Sequence, residues 1–439
     1  MAKPVELRDL MSIASVTRHV TRAVDFSVFE DLESDVRVYC RKFPVVFHRA
    51  KGAELYAEDG RTFIDFFCGA GTLNYGHNNE FIKRRVTEYL VGDGLMHGLD
   101  MYTVAKRELL TTFADTVLRP KGLDYKAQFC GPTGTDAVEA ALKLARKVTG
   151  RSGVFAFTGA YHGMSRGSLG VTGGLRARRA GGVSGRGVTF IPYEDGPQGP
   201  FDSVALIERL ITDPSSGVEP PAAVIVEPMQ MEGGMYPASA DWLRRLREVT
   251  ERHGVLLILD EIQAGCGRTG TFFCFERAGI TPDVVTVSKA IGGYGLPLSL
   301  ALFRRELDVW EPGEHTGTFR GNQLAFVAAT AACELWRETR FRTDMVVATR
   351  RLERFGREVT AAHPGVAVRG LGMAMGIDLG AAGGAERAGR VQRYAFEHGV
   401  VVELCGRHDE VVKILPPLNI DIPRLDRGVG VLLDALRAG

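Results

Sequence analysis

Val255-Leu256-Leu257-Ile258-Leu259 is an unbroken apolar run that stops at Asp260. A run this short, with no polar alternation, reads as a strand buried on both faces of a sheet. Two further runs share its character. Ala222–Val226 ends at Glu227, and Val284–Val287 leads through Ser288 to Lys289. Helical stretches such as Asp241–His253 separate them. Strand and helix in alternation imply an α/β protein with a mostly parallel central sheet covered by helices. In open sheets of this kind, ligands bind beyond the carboxyl ends of the strands. One sheet edge would therefore present two carboxylates and an amine. A single charged residue after a strand is commonly just the solvated start of a loop. Three in succession, each in glycine-rich surroundings, point to a site.

Outward from these strands, Phe43 to Phe67 reads as short strands around turns at Gly52 and Asp59-Gly60. Phe81–Tyr89 and Tyr102–Val117 read as amphipathic helices. Ala137, Ala140, Ala141, Leu144 and Val148 fall on one helical face. After about Ala325 helices dominate, with strands near Val366–Val368, Met373–Asp378 and Val411–Ile414. The expected organisation is an N-terminal arm over 1–26, the first part of a small domain over 27–75, a large domain over 76–325, and the rest of an α+β small domain over 326–439.

The gross composition narrows the function classes. The 439 residues are 45% hydrophobic and 24% charged, with a net charge of +1. That gives no nucleic-acid footprint and no polybasic membrane patch. No apolar run reaches membrane-spanning length and no secretory leader is read, so a cytoplasmic protein is expected. The seven cysteines are scattered and include no CxxC pair, which favours reduced thiols over a disulfide framework or a zinc site. No metal is expected.

Gly131-Pro132-Thr133-Gly134-Thr135-Asp136 runs directly into the helix that begins at Ala137. A helix N-terminus offers free N–H groups and positive partial charge, and glycine lets the backbone approach an anion closely. The same residues are equally readable as plain capping by Asp136 and Glu139. Joined to the three strand ends, however, the parts match the needs of pyridoxal 5'-phosphate. That cofactor requires an anion site, a lysine to take its aldehyde, and a carboxylate to keep its pyridine nitrogen protonated.

Leu259-Asp260-Glu261-Ile262-Gln263, the following Gly267-Arg268-Thr269-Gly270, and Ser288-Lys289 with Gly292-Gly293 resemble the signature of the class III (subgroup II) pyridoxal-phosphate aminotransferases. Tyr161-His162-Gly163, Glu227-Pro228 and Glu232-Gly233-Gly234 match the same family. The resemblance implies the type I fold of these enzymes and a homodimer, or a higher homo-oligomer, with active sites at the subunit interface. By motif position Lys289 would bind the cofactor covalently and later shuttle the proton. Asp260 would pair with the ring nitrogen. Gln263 would meet the ring hydroxyl, and Tyr161 would stack on the ring with His162 beside it. Glu227 joins this cofactor-binding set. Gly134 and Thr135 would hold the phosphate, completed by Thr318 of the other subunit. Tyr161 as simple core packing and His162 as a structural histidine remain the plainer alternatives.

A narrower resemblance follows from Gly69-Ala70-Gly71-Thr72-Leu73-Asn74-Tyr75-Gly76-His77, His97-Gly98-Leu99-Asp100-Met101 and Thr318-Phe319-Arg320-Gly321-Asn322. These look like the diaminobutyrate–2-oxoglutarate branch. Membership would imply amino transfer from L-glutamate to L-aspartate 4-semialdehyde by a ping-pong route, for ectoine, siderophore or peptide-antibiotic synthesis. Two positions depart from the wider family. Met164 stands where many ω-aminotransferases carry an arginine. Lys413, before Ile414-Leu415-Pro416-Pro417, stands where another arginine commonly pairs with a glutamate. Lysine lacks the bidentate fork, so the carboxylate grip must be rebuilt. Glu232 and Lys413 are expected to form a gate, the alternative being a solvated, unpaired Lys413. Arg320 and Arg166 are further candidate carboxylate anchors, each equally readable as a surface or interface arginine. Another class III ω-aminotransferase or aminomutase, acting on an ornithine- or 4-aminobutyrate-like donor, stays open. So does a pyridoxal-phosphate-binding regulator without turnover, against which the intact Asp260 and Lys289 argue.

Overall fold

The computed structural model describes residues 25–439 apart from residue 184. Of the expected N-terminal arm, all but the last two residues lie outside the described residues. The first strands are β1 (Phe47–Lys51), β2 (Glu54–Ala57) and β3 (Thr62–Asp65), an antiparallel meander. Helices α1 (Glu80–Val91) and α2 (Val104–Phe113) follow. Asn79 and Thr103 cap them by accepting first-turn N–H groups.

The middle of the chain builds a seven-stranded sheet from β4 (Tyr125–Phe129), β5 (Val154–Phe157), β6 (Val188–Ile191), β7 (Ala223–Val226), β8 (Leu256–Asp260), β9 (Val284–Val287) and β10 (Leu300–Arg304). Their spatial order is β4-β10-β9-β8-β7-β5-β6. β10 runs antiparallel to both neighbours, and the other pairs are parallel. The three runs that decided the fold are the adjacent strands β7, β8 and β9, every residue of them buried. Their register pairs Leu259 with Val226 and Asp260 with Thr286, so their carboxyl ends are level. Helix α3 (Gly134–Thr149) covers one face with Ala137, Ala140, Ala141 and Leu144 fully buried, as their spacing predicted. It stops at Gly150, whose φ of 68° closes the helix in the left-handed region that glycine takes without strain. Helices α4 (Ser203–Thr212) and α5 (Ala240–Arg252) lie between sheet strands in sequence.

Helices α6 (Gln323–Leu335) and α7 (Thr339–Ala362) lead into the C-terminal part. There β11 (Ala367–Leu371), β12 (Ala374–Asp378), β14 (Glu403–Cys405) and β15 (Val411–Ile414) form an antiparallel sheet ordered β11-β12-β15-β14. Helix α8 (Gly384–Glu397) stands between β12 and the two-residue β13 (Val400–Val401), and α9 (Ile422–Ala438) ends the chain. β13 adds parallel to β3, so both ends of the chain share one sheet. No described helix is long and apolar enough to cross a membrane.

One buried cation joins these parts. Arg268, in the loop after β8, is fully buried. Its Nη1 donates to the Met373 carbonyl at 2.9 Å and the Pro416 carbonyl at 2.5 Å, and its Nη2 donates to Asn74 Oδ1 at 2.6 Å. Arg268→Met would strand three buried acceptors, at a cost of roughly 3 kcal/mol or more. A urea titration monitored by fluorescence reads that loss as a lower midpoint. A change under about 1 kcal/mol would mean that water replaces the guanidinium.

Candidate active site

A cavity of about 310 Å³ opens at the carboxyl edge of β7, β8 and β9, within the size range of small-molecule sites, ~300–1,000 Å³. Lys289, Asp260, Glu227 and Gln263 line it. So do Gly134, Thr135, Tyr161, His162 and Glu232. The remaining candidates lie elsewhere in the single chain. Thr318 and Arg166 are exposed, Arg320 is half-buried, Lys413 is fully buried, and none of the four borders the cavity. Met164 does border it and presents an exposed thioether.

Lys289 follows β9 at the start of a tight 3₁₀ turn, with a φ of 52°. A non-glycine residue in the left-handed region costs on the order of 1–3 kcal/mol and persists where the surroundings enforce it. Its Nζ donates to the Ala70 carbonyl at 3.0 Å. Burial pulls its pKa below the ordinary lysine value, opposed by the charge of Glu232. A larger neutral fraction is what a nucleophilic amine needs.

Asp260 ends β8. Its Oδ1 accepts from the Thr286 hydroxyl at 3.0 Å and from the Ile262 N–H at 3.1 Å. Its Oδ2 lies 2.8 Å from His162 Nδ1. A carboxylate there can only accept, so Nδ1 carries the proton and Nε2 is the free ring nitrogen. Thr286 was not foreseen, although it is the one hydroxyl inside the Val284–Val287 run and pairs with Asp260 in register. Glu227 accepts from the N–H groups of Tyr161 at 2.9 Å and Met231 at 3.2 Å. Burial raises its pKa to about 7; the nearby His162 works against that rise and Asp260 adds to it.

At the mouth of α3, the Thr133 N–H and hydroxyl both donate to Asp136 Oδ2, so the capping reading of Asp136 holds. Glu139 does something else. It accepts from the Gly167 N–H at 2.7 Å and the Ser168 N–H at 3.1 Å, fixing the turn that carries Ser165 and Ser168. Those two hydroxyls surround Thr135 Oγ1. A Cβ on Gly163 would come within 2.6 Å of that oxygen, so only glycine fits beside it. Helix N–H groups and the Thr135 hydroxyl make a donor set suited to a phosphate; Ser165, which donates to Glu139, and Ser168 stand behind Thr135, outside the cavity lining. Two buried atoms of cavity-lining residues, His162 Nε2 and Gln263 Oε1, have no hydrogen-bond partner among the described residues. The donor set, the free polar atoms and the poised amine fit a phosphate-bearing aromatic aldehyde.

The rear of the cavity answers the question left open for Lys413. That side chain is fully buried. Its Nζ lies 2.6 Å from Glu232 Oε1 and 2.8 Å from Glu403 Oε2. Burial alone would lower its pKa, but the two carboxylates outweigh that and hold it above the ordinary value. Burial would raise Glu232, but Lys413 and Lys289 carry it down to about 2. Glu232 Oε1 also accepts from Gln263 Nε2 at 3.1 Å, and Gln263 donates to the same Ala70 carbonyl that Lys289 uses. Glu403 was missed. The signal was a lone charge inside the apolar run Val400 to Cys405; its partner required the strand register, which sets Glu403 opposite Lys413.

The family model for class III aminotransferases matches residues 37–436. The chain belongs to the class III aminotransferases. It is 51% identical over 423 residues to the diaminobutyrate–2-oxoglutarate transaminase of Streptomyces coelicolor, covering 94% of this chain and 98% of that one. It is 47% identical over 416 residues to the enzyme of the same name from Halalkalibacterium halodurans, 94% and 97% covered. An uncharacterized aminotransferase of Sinorhizobium fredii is 49% identical over 438 residues, 99% and 96% covered. Among solved structures, a Bacillus anthracis aminotransferase superposes with a TM-score of 0.85 at 22% identity, covering 99% of this chain and 100% of that one. The ornithine aminotransferase of Toxoplasma gondii superposes at 0.81 with 23% identity, 99% and 98% covered. These superpositions show the type I fold of the pyridoxal-phosphate aminotransferases.

The raised pKa of Glu227 has a stability consequence. A carboxyl that is harder to ionise when folded favours folding fully at pH below its unfolded value, near 4.3, and loses that contribution as pH rises through about 7. Unfolding of the cofactor-free protein and of Glu227→Gln should therefore converge as pH falls to about 4. Between pH 5 and 8 the wild type should lose up to about 3 kcal/mol relative to the variant. Parallel stability curves across that window would show that Glu227 is ionised at no cost.

Proposed function

We propose that this protein transfers the amino group of L-glutamate to L-aspartate 4-semialdehyde, giving L-2,4-diaminobutyrate and 2-oxoglutarate. The observation that carries the reading is a pocket with a poised amine at one end, Lys289, and a buried cation shared by two carboxylates behind it, Lys413. The identity to transaminases of that name supports the substrate pair.

Pyridoxal 5'-phosphate is the cofactor. Gly134 and Thr135 hold its phosphate, with the Ser165 and Ser168 hydroxyls beside Thr135. Tyr161 covers the ring, Gln263 meets the ring hydroxyl, and Glu227 completes the wall near Tyr161. When bound, the ring withdraws electrons from the amino-bearing carbon and makes its C–H bond acidic. Asp260 keeps the proton on the ring nitrogen, and His162 and Thr286 hold Asp260 in place. Lys289 would take the proton from the amino-bearing carbon and give it up again, alternating as base and acid.

Glutamate and the semialdehyde differ in where their carboxylate sits relative to the reacting carbon. Lys413 meets a glutamate carboxylate when Glu232 turns away, and Glu232 masks it when the semialdehyde binds. Arg320 and Arg166 are left as interface or surface arginines that act on substrate only from a second subunit. A homodimer is part of the proposal. Exposed Met96, Leu99, Met101 and Tyr102 form an apolar stretch, and His97 within it packs against the exposed Phe319 beside Thr318. A second copy would cover these side chains and bring Thr318 to the neighbouring phosphate site.

Purified protein given glutamate and aspartate semialdehyde should release 2-oxoglutarate and diaminobutyrate in equal amounts. Lys289→Ala should lower that rate by on the order of 10⁴ or more, and borohydride trapping of the wild type should tag Lys289. Turnover with 4-aminobutyrate or ornithine, and none with the semialdehyde, would move the substrate assignment within the family. Lys413→Ala tests the gate separately. Single-turnover assays should show the glutamate half-reaction weakened by roughly tenfold or more, with the diaminobutyrate half-reaction little changed. An equal fall in both would end the gate reading.

A further inference from the structure

A gate made with lysine has a difficulty that one made with arginine avoids. Arginine presents a planar, preorganised fork, whereas lysine is a point charge on a flexible four-carbon stem. If Glu232 were the sole partner of Lys413, the ammonium would follow the carboxylate when it left. No cation would remain where the substrate carboxylate must land. A buried ammonium with no partner is also strongly disfavoured.

The structure supplies a second anchor. Glu403 and Lys413 stand directly opposite one another on the antiparallel strands β14 and β15. Glu403 Oε2 lies 2.8 Å from Lys413 Nζ. Glu403 Oε1 accepts from the Tyr39 hydroxyl at 2.8 Å. Tyr39 packs its ring on Phe67, with centroids 4.9 Å apart. Glu403, like Lys413, is buried and does not line the cavity; of the three charged groups Glu232 alone borders it, so Glu403 stands on the far side of Lys413 from the opening. The two carboxylates are placed differently. Glu403 is fixed within a strand pair and by a tyrosine, whereas Glu232 sits in the loop after β7 and lines the cavity.

We propose that Glu403 is a positioning residue that keeps the Lys413 ammonium in place independently of Glu232, so that the gate opens by movement of Glu232 alone. Tyr39 aims Glu403 at this task. The inference rests on the gate reading and deepens it. It assigns the two carboxylates different work: one is exchanged for the substrate carboxylate, and the other stays.

The test uses the holoenzyme and measures the two half-reactions separately in single turnovers. Glu403→Gln should raise the half-saturating concentration of glutamate about tenfold. The maximal rate with saturating glutamate, and both constants of the diaminobutyrate half-reaction, should stay within about twofold. Glu403→Asp keeps the charge and should recover much of the glutamate affinity. Tyr39→Phe lies at the surface, so it tests the idea even if Glu403→Gln fails to fold; it should shift glutamate half-saturation in the same direction, by about threefold. An unchanged glutamate constant in Glu403→Gln overturns the proposal, and so does an equal loss in both half-reactions. If Glu403→Gln does not fold, absence of the selective shift in Tyr39→Phe does the same. Lys413→Ala separates the two levels. If it spares neither half-reaction, the gate reading itself fails. If it is selective while Glu403→Gln is not, only the positioning role falls.

Discussion

The active site depends on the register of three parallel strands. Because Leu259 pairs with Val226 and Asp260 with Thr286, the strands β7, β8 and β9 end level with one another. A shift of one residue would turn every side chain of the slipped strand to the opposite face of the sheet. The register is locked by burial, since all the residues of these strands are buried and slippage would push apolar side chains out of the core. Glu227, Asp260 and Lys289 are thus delivered together without any contact among themselves. Chemistry that needs an acid and an amine facing one cofactor is placed by hydrophobic packing some distance away.

The C-terminal sheet contributes by a different logic. Its strands β14 and β15 are antiparallel, so neighbouring side chains on one face sit directly across from each other. That is what sets Glu403 against Lys413. Glu232 reaches the same ammonium from the loop that follows β7 in the large sheet. Arg268 lies fully buried among carbonyls of the C-terminal part and Asn74 of the N-terminal part. The site therefore spans elements far apart in sequence, and charged side chains rather than apolar ones make the final connections.

Much of this was legible in the sequence. The three apolar runs predicted β7, β8 and β9, their direction, and the charged residues at their ends. Helix α3 was readable from its alanine-rich face, but it begins at Gly134 and not at Ala137, so Gly134 and Thr135 form its first turn behind the cap at Thr133. The antiparallel strand β10 was not readable, because Leu300–Arg304 carries the same apolar pattern as a parallel strand and direction leaves no mark on composition. Strand β4 was hidden for the opposite reason: Tyr125–Phe129 mixes lysine and glutamine into a half-buried run. Lys413 was recognised by position, yet a lysine in a strand is normally solvated, and only the register reveals two carboxylates around it. Glu403 and Tyr39 fall in the same class. Their meaning lies in a pairing across hundreds of residues, which periodicity does not encode.

Burial sorts the ionisable groups of this site into two kinds. Where desolvation outweighs the neighbouring charges, a group is driven toward neutrality: Glu227 is raised to about 7, and Lys289 is lowered in spite of Glu232. Where opposite charges are buried together, the charged forms win: Glu232 falls to about 2 and Lys413 rises. The division follows function. On the proposed mechanism, the amine that attacks a carbonyl is the one burial shifts toward its neutral form, and the cation that recognises a carboxylate is the one its neighbours keep charged. Lys413 is held by two carboxylates at 2.6 and 2.8 Å, whereas Lys289 lines the cavity and its Nζ donates to a backbone carbonyl. A fold that places acids asymmetrically around two buried lysines can use one as a nucleophile and the other as an anchor.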